Sequence, residues 1–476
     1  MRSIAVHACR LAAGAAAAAV LWAVLPASAQ DGVPIDIDEA MRLLANRSGS
    51  VQGAELDYQA RRLQAGALRR IDGPDLRLTG FAGRVSTTLS VDTSRIGQVL
   101  DPALQLLPPL PGIALPELPP SLDIDRVYNI RSVGLSSVWP MYTGGRLEAV
   151  KDVASGRAEE AAAAAQSARG EATVQLAQRY FGVQLARQAS RLRGAAVTLA
   201  KEHQAMALKL ERSGLIARVE RLKADVAVDN AVREASRAAS DLEIAEVALR
   251  RMLGESGEVL PTTPLFVHER AVGSLASFVD AAMASNAAWK QIESKRMQAA
   301  ANLRLQGHEY SPTVLGVANY NLNRGGTVRA NWLVGVAFSM PLFDRIDRAK
   351  AIAAARIEQQ RVEVAAEQAG RDIPTLAEKQ WRTMEDARQR YLSMGSTIEL
   401  ARETLRLAQV SFKNAQATSA DVDDASLNLT KVSIERAQAA YDYVVALAQL
   451  LDTAGAADQL PVHARSAAHR IAFTKE

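Results

Sequence analysis

Thr418 and Asp421 stand at capping-box spacing, and Asp423 and Asp424 bring two more carboxylates into the same short run. Acids there suit the positive end of a helix dipole, so capping is the simplest chemistry they offer. Other reactive residues do not assemble into a catalytic pattern. The six histidines, His7, His203, His268, His308, His463 and His469, show no metal-ligand spacing, and His268-Glu269 and His308-Glu309 lack the second histidine of a zinc helix. No phosphate loop, dinucleotide fingerprint or serine elbow is present. The expectation is a protein that is not an enzyme, with no cofactor and no metal.

The elements that position the acid run repeat themselves. Residues 133 to 254 superpose without a gap on 334 to 455: Val133 on Val334, Pro140 on Pro341, Leu199 on Leu400, Glu234 on Glu435, Leu249 on Leu450 and Gly254 on Gly455, each 201 residues apart. A duplicated unit follows. Ala238, Leu242, Ala245 and Leu249 step at coiled-coil spacing, as do Ala439, Tyr443, Ala446 and Leu450. Helical rods are expected from Gly145 to about Leu210 and over about residues 345 to 413, with hairpins over about 144–253 and 345–453. Each rod is ~100 Å long at 1.5 Å per residue, and its returning arm is shorter. Short helices at about 48–71 and 288–307 would stack on those arms to make up the length. Pro374 predicts a kink in the second rod.

Four segments alternate with period two, at about 75–91, 127–139, 312–323 and 327–340. In the last, Val328, Ala330, Trp332, Val334, Val336, Phe338 and Met340 share one face, opposite Arg329, Asn331, Gly335, Ala337 and Ser339. One face suits lipid and the other water. The second pair would turn at Asn323-Arg324-Gly325-Gly326. The first pair alternates less cleanly, with Arg131 on the nominal lipid face, and encloses an insertion at about 92–126 holding seven prolines, expected as an exterior loop. Four strands cannot close a barrel, and an open sheet edge in lipid is not viable, so the count predicts oligomerisation.

Composition agrees with long helices: aromatic residues make up 5% of the 476-residue chain, while Ala, Leu, Glu, Arg and Gln abound. Residues 1–29 read as a secretory signal peptide, with Arg2 and Arg10 flanking the start of an apolar run and Ala27-Ser28-Ala29 as the cleavage site. Cys9 lies within it, leaving the mature chain without thiol chemistry. Its removal lowers the formal charge from +4 to +2, because it carries two arginines and no acid, which gives no sign of a nucleic-acid partner. The tail after Ala456 reads as polar and mobile. The two repeats span 30–254 and 255–455, and the tail 456–476.

The order of elements, the segment Val138-Trp139-Pro140-Met141-Tyr142-Thr143-Gly144-Gly145 and the tip Gly214-Leu215 resemble the TolC-like outer-membrane efflux proteins over residues 35 to 455. The resemblance implies a mainly helical fold with a small β part. Three chains would share a twelve-strand barrel in outer-membrane lipid and a helical tunnel across the periplasm, docked by an adaptor protein to an inner-membrane transporter. A passive efflux duct is the implied function, with a duct for type I protein secretion as the alternative. A periplasmic adaptor would normally carry one hairpin per chain rather than two, and a purely structural coiled coil would lack the alternating strand.

Within that resemblance the hairpin tips form an aperture. Asp421 and Asp424 match the family's gating carboxylates, Asp423 is an extra acid, and three copies would make rings of negative charge. Glu220 matches a carboxylate of the closed state. Phe412 stands where the family often has tyrosine and Ala417 where it can carry arginine, so Glu220 is expected to face Phe412 without a hydroxyl partner. Gly214 and Leu215 at the first tip, and Ala415 and Gln416 at the second, occupy the adaptor-docking positions.

Overall fold

The computed structural model describes residues 33–94, 98, 121–322, 332–343 and 345–471. The signal peptide, the turn at 323–326 and most of the proline-rich insertion lie outside them. The elements run β1 (Val33–Ile35), α1 (Ile37–Arg47), α2 (Gly49–Ala67), β2 (Asp75–Asp92), β3 (Ser121–Tyr142), α3 (Arg146–Arg212), α4 (Arg218–Leu253), β4 (Val259–Pro261) and β5 (Phe266–Val267). They continue with α5 (Leu275–Ser285), α6 (Ala287–Gly307), β6 (Thr313–Asn321), β7 (Trp332–Ser339), α7 (Arg348–Lys413), α8 (Ser419–Thr453), α9 (Leu460–Ser466) and β8 (His469–Arg470).

The two rods, α3 with 67 residues and α7 with 66, are each about 100 Å long. α3 packs along its returning arm α4 and then along α2, while α7 packs along α8 and then along α6 and α5. Two short helices that the periodicity did not reveal, α1 and α5, fill the joints. Side-chain caps start the pieces: Asp36 accepts from the Glu39 amide at 2.7 Å, and Asn286 accepts from the amides of Ala288 and Trp289 at 2.9 and 3.2 Å. Ser48 caps α2. α7 runs through Pro374 as one continuous helix, with Ile373 and Ala377 packed against Ala282 of α5.

Where the rods cross their mid-length joints lies the main core, built from Leu176, Tyr180, Phe181, Leu249, Phe266, Tyr443 and Leu447, all fully buried. The Tyr180 hydroxyl donates to the Ile35 carbonyl at 2.8 Å and accepts from the amides of Thr262 and Thr263 at 3.0 and 2.9 Å. That knot ties the parallel β1–β4 pair to the rod. Residues 457–471 pack onto this core rather than forming a mobile tail. Leu460, Pro461 and Ala464 of α9 are buried, and His469–Arg470 pairs antiparallel with Phe266–Val267. Burial of three apolar side chains outweighs the polar character of the segment.

The remaining strands form one antiparallel sheet in the order β2-β3-β6-β7. β3 begins at Ser121, six residues before the expected start, and ends at Tyr142, so the alternating Leu122, Asp123, Ile124 and Asp125 belong to the strand and not to the loop. Register places Trp332, Tyr320, Leu135 and Leu78 in one row, followed by Val334, Ala318, Ser137 and Leu76. Trp332, Val334, Val336 and Phe338 are each about 70% exposed, as a lipid-facing band requires. Arg131 pairs with Ala82 four residues beyond the Leu135 row, about 13 Å farther along the strand. The rows that follow on its face are Arg84 opposite Asn129, Ser86 opposite Val127 and Thr88 opposite Asp125. Arg131 therefore belongs to a polar extension of the β2–β3 ribbon and not to the apolar band. Among the described residues, no helix is long and apolar enough to cross a membrane.

Candidate functional site at the hairpin tips

At the end of the rods farthest from the sheet, both hairpins turn in the same way. The Leu215 amide donates to the Leu210 carbonyl at 2.9 Å, and 201 residues later the Gln416 amide donates to the Ser411 carbonyl at 2.9 Å. Both are the six-to-one bond of a Schellman turn, which needs a left-handed residue just before its donor. Gly214 takes that conformation with φ +73°, and Ala415 takes it with φ +55°, the one non-glycine residue at positive φ among the described residues. Leu215 and Gln416 are exposed beside them.

The acids behind the second tip divide by role. Asp421 completes a capping box: its Oδ2 accepts from the Thr418 amide at 2.7 Å and from the Thr418 hydroxyl at 2.8 Å, while its own amide donates back to that hydroxyl oxygen at 3.3 Å. These bonds hold its carboxyl below the usual carboxylate range. Asp424 is exposed. Asp423 lines a groove between α4 and α8 whose other wall carries Val219, Leu222 and Val226. Burial, then the Asp424 charge, pushes its carboxyl up.

Glu220 does not face Phe412. Its Oε2 accepts from the Ser419 amide at 2.7 Å and its Oε1 from Lys223 Nζ at 2.8 Å. Ser419 is the first residue of α8, so a carboxylate on the first hairpin satisfies an orphan amide and the dipole at the start of the second. The Lys223 bond, followed by the Ser419 bond, depresses its carboxyl. Phe412 is fully buried, its ring 4.4 Å from that of His203. His203 Nε2 lies 3.1 Å from Ser419 Oγ, and both residues are buried.

Ser419 thus receives His203 from α3 on its hydroxyl and Glu220 from α4 on its amide. Neither His203 nor Ser419 stood out in the sequence, since they are 216 residues apart and share no motif. The only prior signal is positional: a histidine close to one tip and a serine at the next helix start. Around them Ala207, Leu210, Ala224, Leu405, Val422 and Ala425 form a small separate core. Among the described residues, no group of three or more His, Cys, Asp or Glu side chains could hold a metal ion. The geometry is that of a latch between two hairpins, with acids at its solvent edge.

Residues 40–255 match the family model described as outer membrane efflux protein. No curated protein matches the chain. Among solved structures, the chain is similar to the Campylobacter jejuni CmeC outer membrane channel, with a TM-score of 0.70 and 12% identity over 88% of this chain and 86% of that one. It is similar to the Neisseria gonorrhoeae MtrE outer membrane channel in its open state, with a TM-score of 0.67 and 18% identity over 88% and 89%. It is also similar to the Vibrio cholerae outer membrane protein VceC, with a TM-score of 0.65 and 15% identity over 90% and 96%. By sequence the match to the outer membrane efflux protein family covers residues 40–255, a little under half of the chain, and by fold the chain is similar to outer membrane channels over nearly its whole length.

Proposed function

We propose that the chain is the outer-membrane duct of an envelope-spanning tripartite efflux system, a passive exit for substrate that an inner-membrane transporter delivers through a periplasmic adaptor. The observation that carries this reading is the sheet. Among the described residues β2 and β7 each pair on one side only, so both edges of a sheet with a lipid-facing band expose unpaired backbone groups. In hydrocarbon each such group costs several kcal/mol. Joining β7 of one copy to β2 of the next removes every edge, and three copies supply the twelve strands of the proposed barrel.

Below the barrel, the same threefold arrangement surrounds a passage with the rods and brings the tips together at its inner end. Asp421 and Asp424 of three copies then form the acid rim, and Asp421 caps its helix at the same time. Adaptor hairpins would meet Gly214-Leu215 and Ala415-Gln416, next to the apolar groove that ends at Asp423.

The experiment is native mass measurement of the detergent-extracted mature protein, joined to single-channel recording in planar bilayers. A trimer with cation-preferring conductance is expected. Replacing both Asp421 and Asp424 with alanine should weaken cation preference and block by multivalent cations. A stable monomer with no conductance would overturn the duct.

A further inference from the structure

Far from the tips, at the mid-length joint, α1, α2, α3 and the turn after α8 enclose a cavity of about 300 Å³. Met41, Leu44 and Val51 supply apolar walls, and the Asp452 carboxylate enters from the end of α8. Gly170 makes this possible: a Cβ there would lie 1.7 Å from Asp452 Oδ1. The glycine leaves a notch on the rod that the carboxylate fills.

The other polar groups lining this cavity from the rod are already engaged. Gln166 donates to the Ser285 carbonyl at 3.0 Å and accepts from Lys290 Nζ at 3.0 Å. Arg169 is paired with Glu55, and the Thr173 hydroxyl donates to the Arg169 carbonyl at 2.9 Å. Among the described residues, no hydrogen bond or ion pair reaches the Asp452 carboxylate. Burial, and secondarily the Glu171 charge, pushes its carboxyl up to about 6. Asp458 lines the same cavity and adds negative charge. An apolar chamber whose Asp452 carboxylate has no paired cation, with Asp458 adding to the negative charge, has room for an apolar body bearing a cation, at the lower end of the size range of small-molecule sites.

We infer that this cavity is a binding site for a small protonated amine with an apolar body, whose ammonium group pairs with Asp452 and whose chain lies against Met41, Leu44 and Val51. The site is independent of the duct reading, since it is formed within one chain.

The test uses the full mature protein in detergent at pH 7.5, with n-hexylammonium chloride as probe and 1-hexanol as the neutral match, followed by titration calorimetry. Saturable hexylammonium binding at least tenfold tighter than hexanol is expected. Asp452→Asn should bring hexylammonium down to the hexanol level while leaving hexanol unchanged, and Gly170→Ala, which displaces the carboxylate, should do the same. Circular dichroism checks that both variants keep their helices. Equal binding of the amine by wild type and Asp452→Asn, or no saturable binding, overturns the site. So does failure of the amine to bind while Asp452→Asn dissociates the oligomer, which would assign the carboxylate to a cation of a neighbouring copy.

Discussion

Gly214 and Ala415 hold the same left-handed backbone at equivalent positions of the two hairpin tips, one at no steric cost and the other against its Cβ. For an L-residue that conformation costs on the order of 1–2 kcal/mol, partly offset because alanine loses less entropy than glycine on folding. Nothing lies within 4 Å of a Cβ built on Gly214, so backbone strain alone separates the two. Ala415→Gly should stabilise its tip by about 0.5–1 kcal/mol, and Gly214→Ala should destabilise the first tip by a similar amount. Hydrogen exchange across residues 205–220 and 405–425 would show the opposite shifts.

The tie between Glu220 and Ser419 makes a second expectation. Its partners lower the Glu220 carboxyl from 4.5, so the folded state holds the charged form more tightly than the unfolded one. That stability is fully present above pH 4.5 and disappears as pH falls through the depressed folded value. Glu220→Gln removes the charge while keeping an acceptor. Exchange protection at the start of α8 should fall at pH 7, and long-lived open events in bilayer recordings should become more frequent. In acid, wild type and variant should converge.

His203 runs the other way. Burial lowers its ring below 6.5, although the Glu220 charge opposes that shift. The unfolded chain then takes up the proton first as pH falls, so the tips should lose stability on going from pH 7 to pH 5. Replacing His203 with glutamine should abolish that loss. Replacing it with leucine should leave the Ser419 hydroxyl without its partner and cost about 1–3 kcal/mol at neutral pH. A double-mutant cycle with Ser419→Ala measures the coupling.

Asp452 carries a cost of its own. With its carboxyl raised from 3.8 to about 6, the folded state prefers the protonated form, and stability declines as pH rises from 4 through 6. Asp452→Asn mimics the protonated form. It should raise stability by about 2 kcal/mol at pH 8 and have little effect at pH 4, as thermal unfolding at the two values would show.

The rods and the strands were legible because each obeys a local period, and the 201-residue repeat doubles the signal. Leu249 and Leu450 are fully buried in their seams, as the heptad spacing requires. The short helices α1 and α5 and the strand start at Ser121 were missed because their patterns are too brief for a period to emerge. The packing of residues 457–471 is not legible because the polar composition of the segment hides the burial of Leu460. Among the acids, the Thr418–Asp421 box was plain from spacing alone. The His203–Ser419–Glu220 latch was not, because it depends on how two hairpins align across some 200 residues.

Docking at the first tip supplies the last expectation. Leu215 is 59% exposed although it is a large apolar residue at the turn, and Val219 and Leu222, also exposed, continue the apolar surface along α4. At the second tip the equivalent position is the polar Gln416, so the two tips differ in what they offer an adaptor. Leu215→Asp would bring a charge into the first contact, where desolvating it costs several kcal/mol without a partner. Its backbone bond to Leu210 and the small core behind it involve other atoms, so assembly and the outer-membrane location should be unchanged. Transport in a strain supplying the natural pump should fall at least tenfold. Gln416→Asp should have a smaller effect, because a polar side chain already stands there. If both variants transport like wild type while remaining assembled, the adaptor does not engage these tips, and the groove bounded by Val226 and Asp423 becomes the surface to alter next.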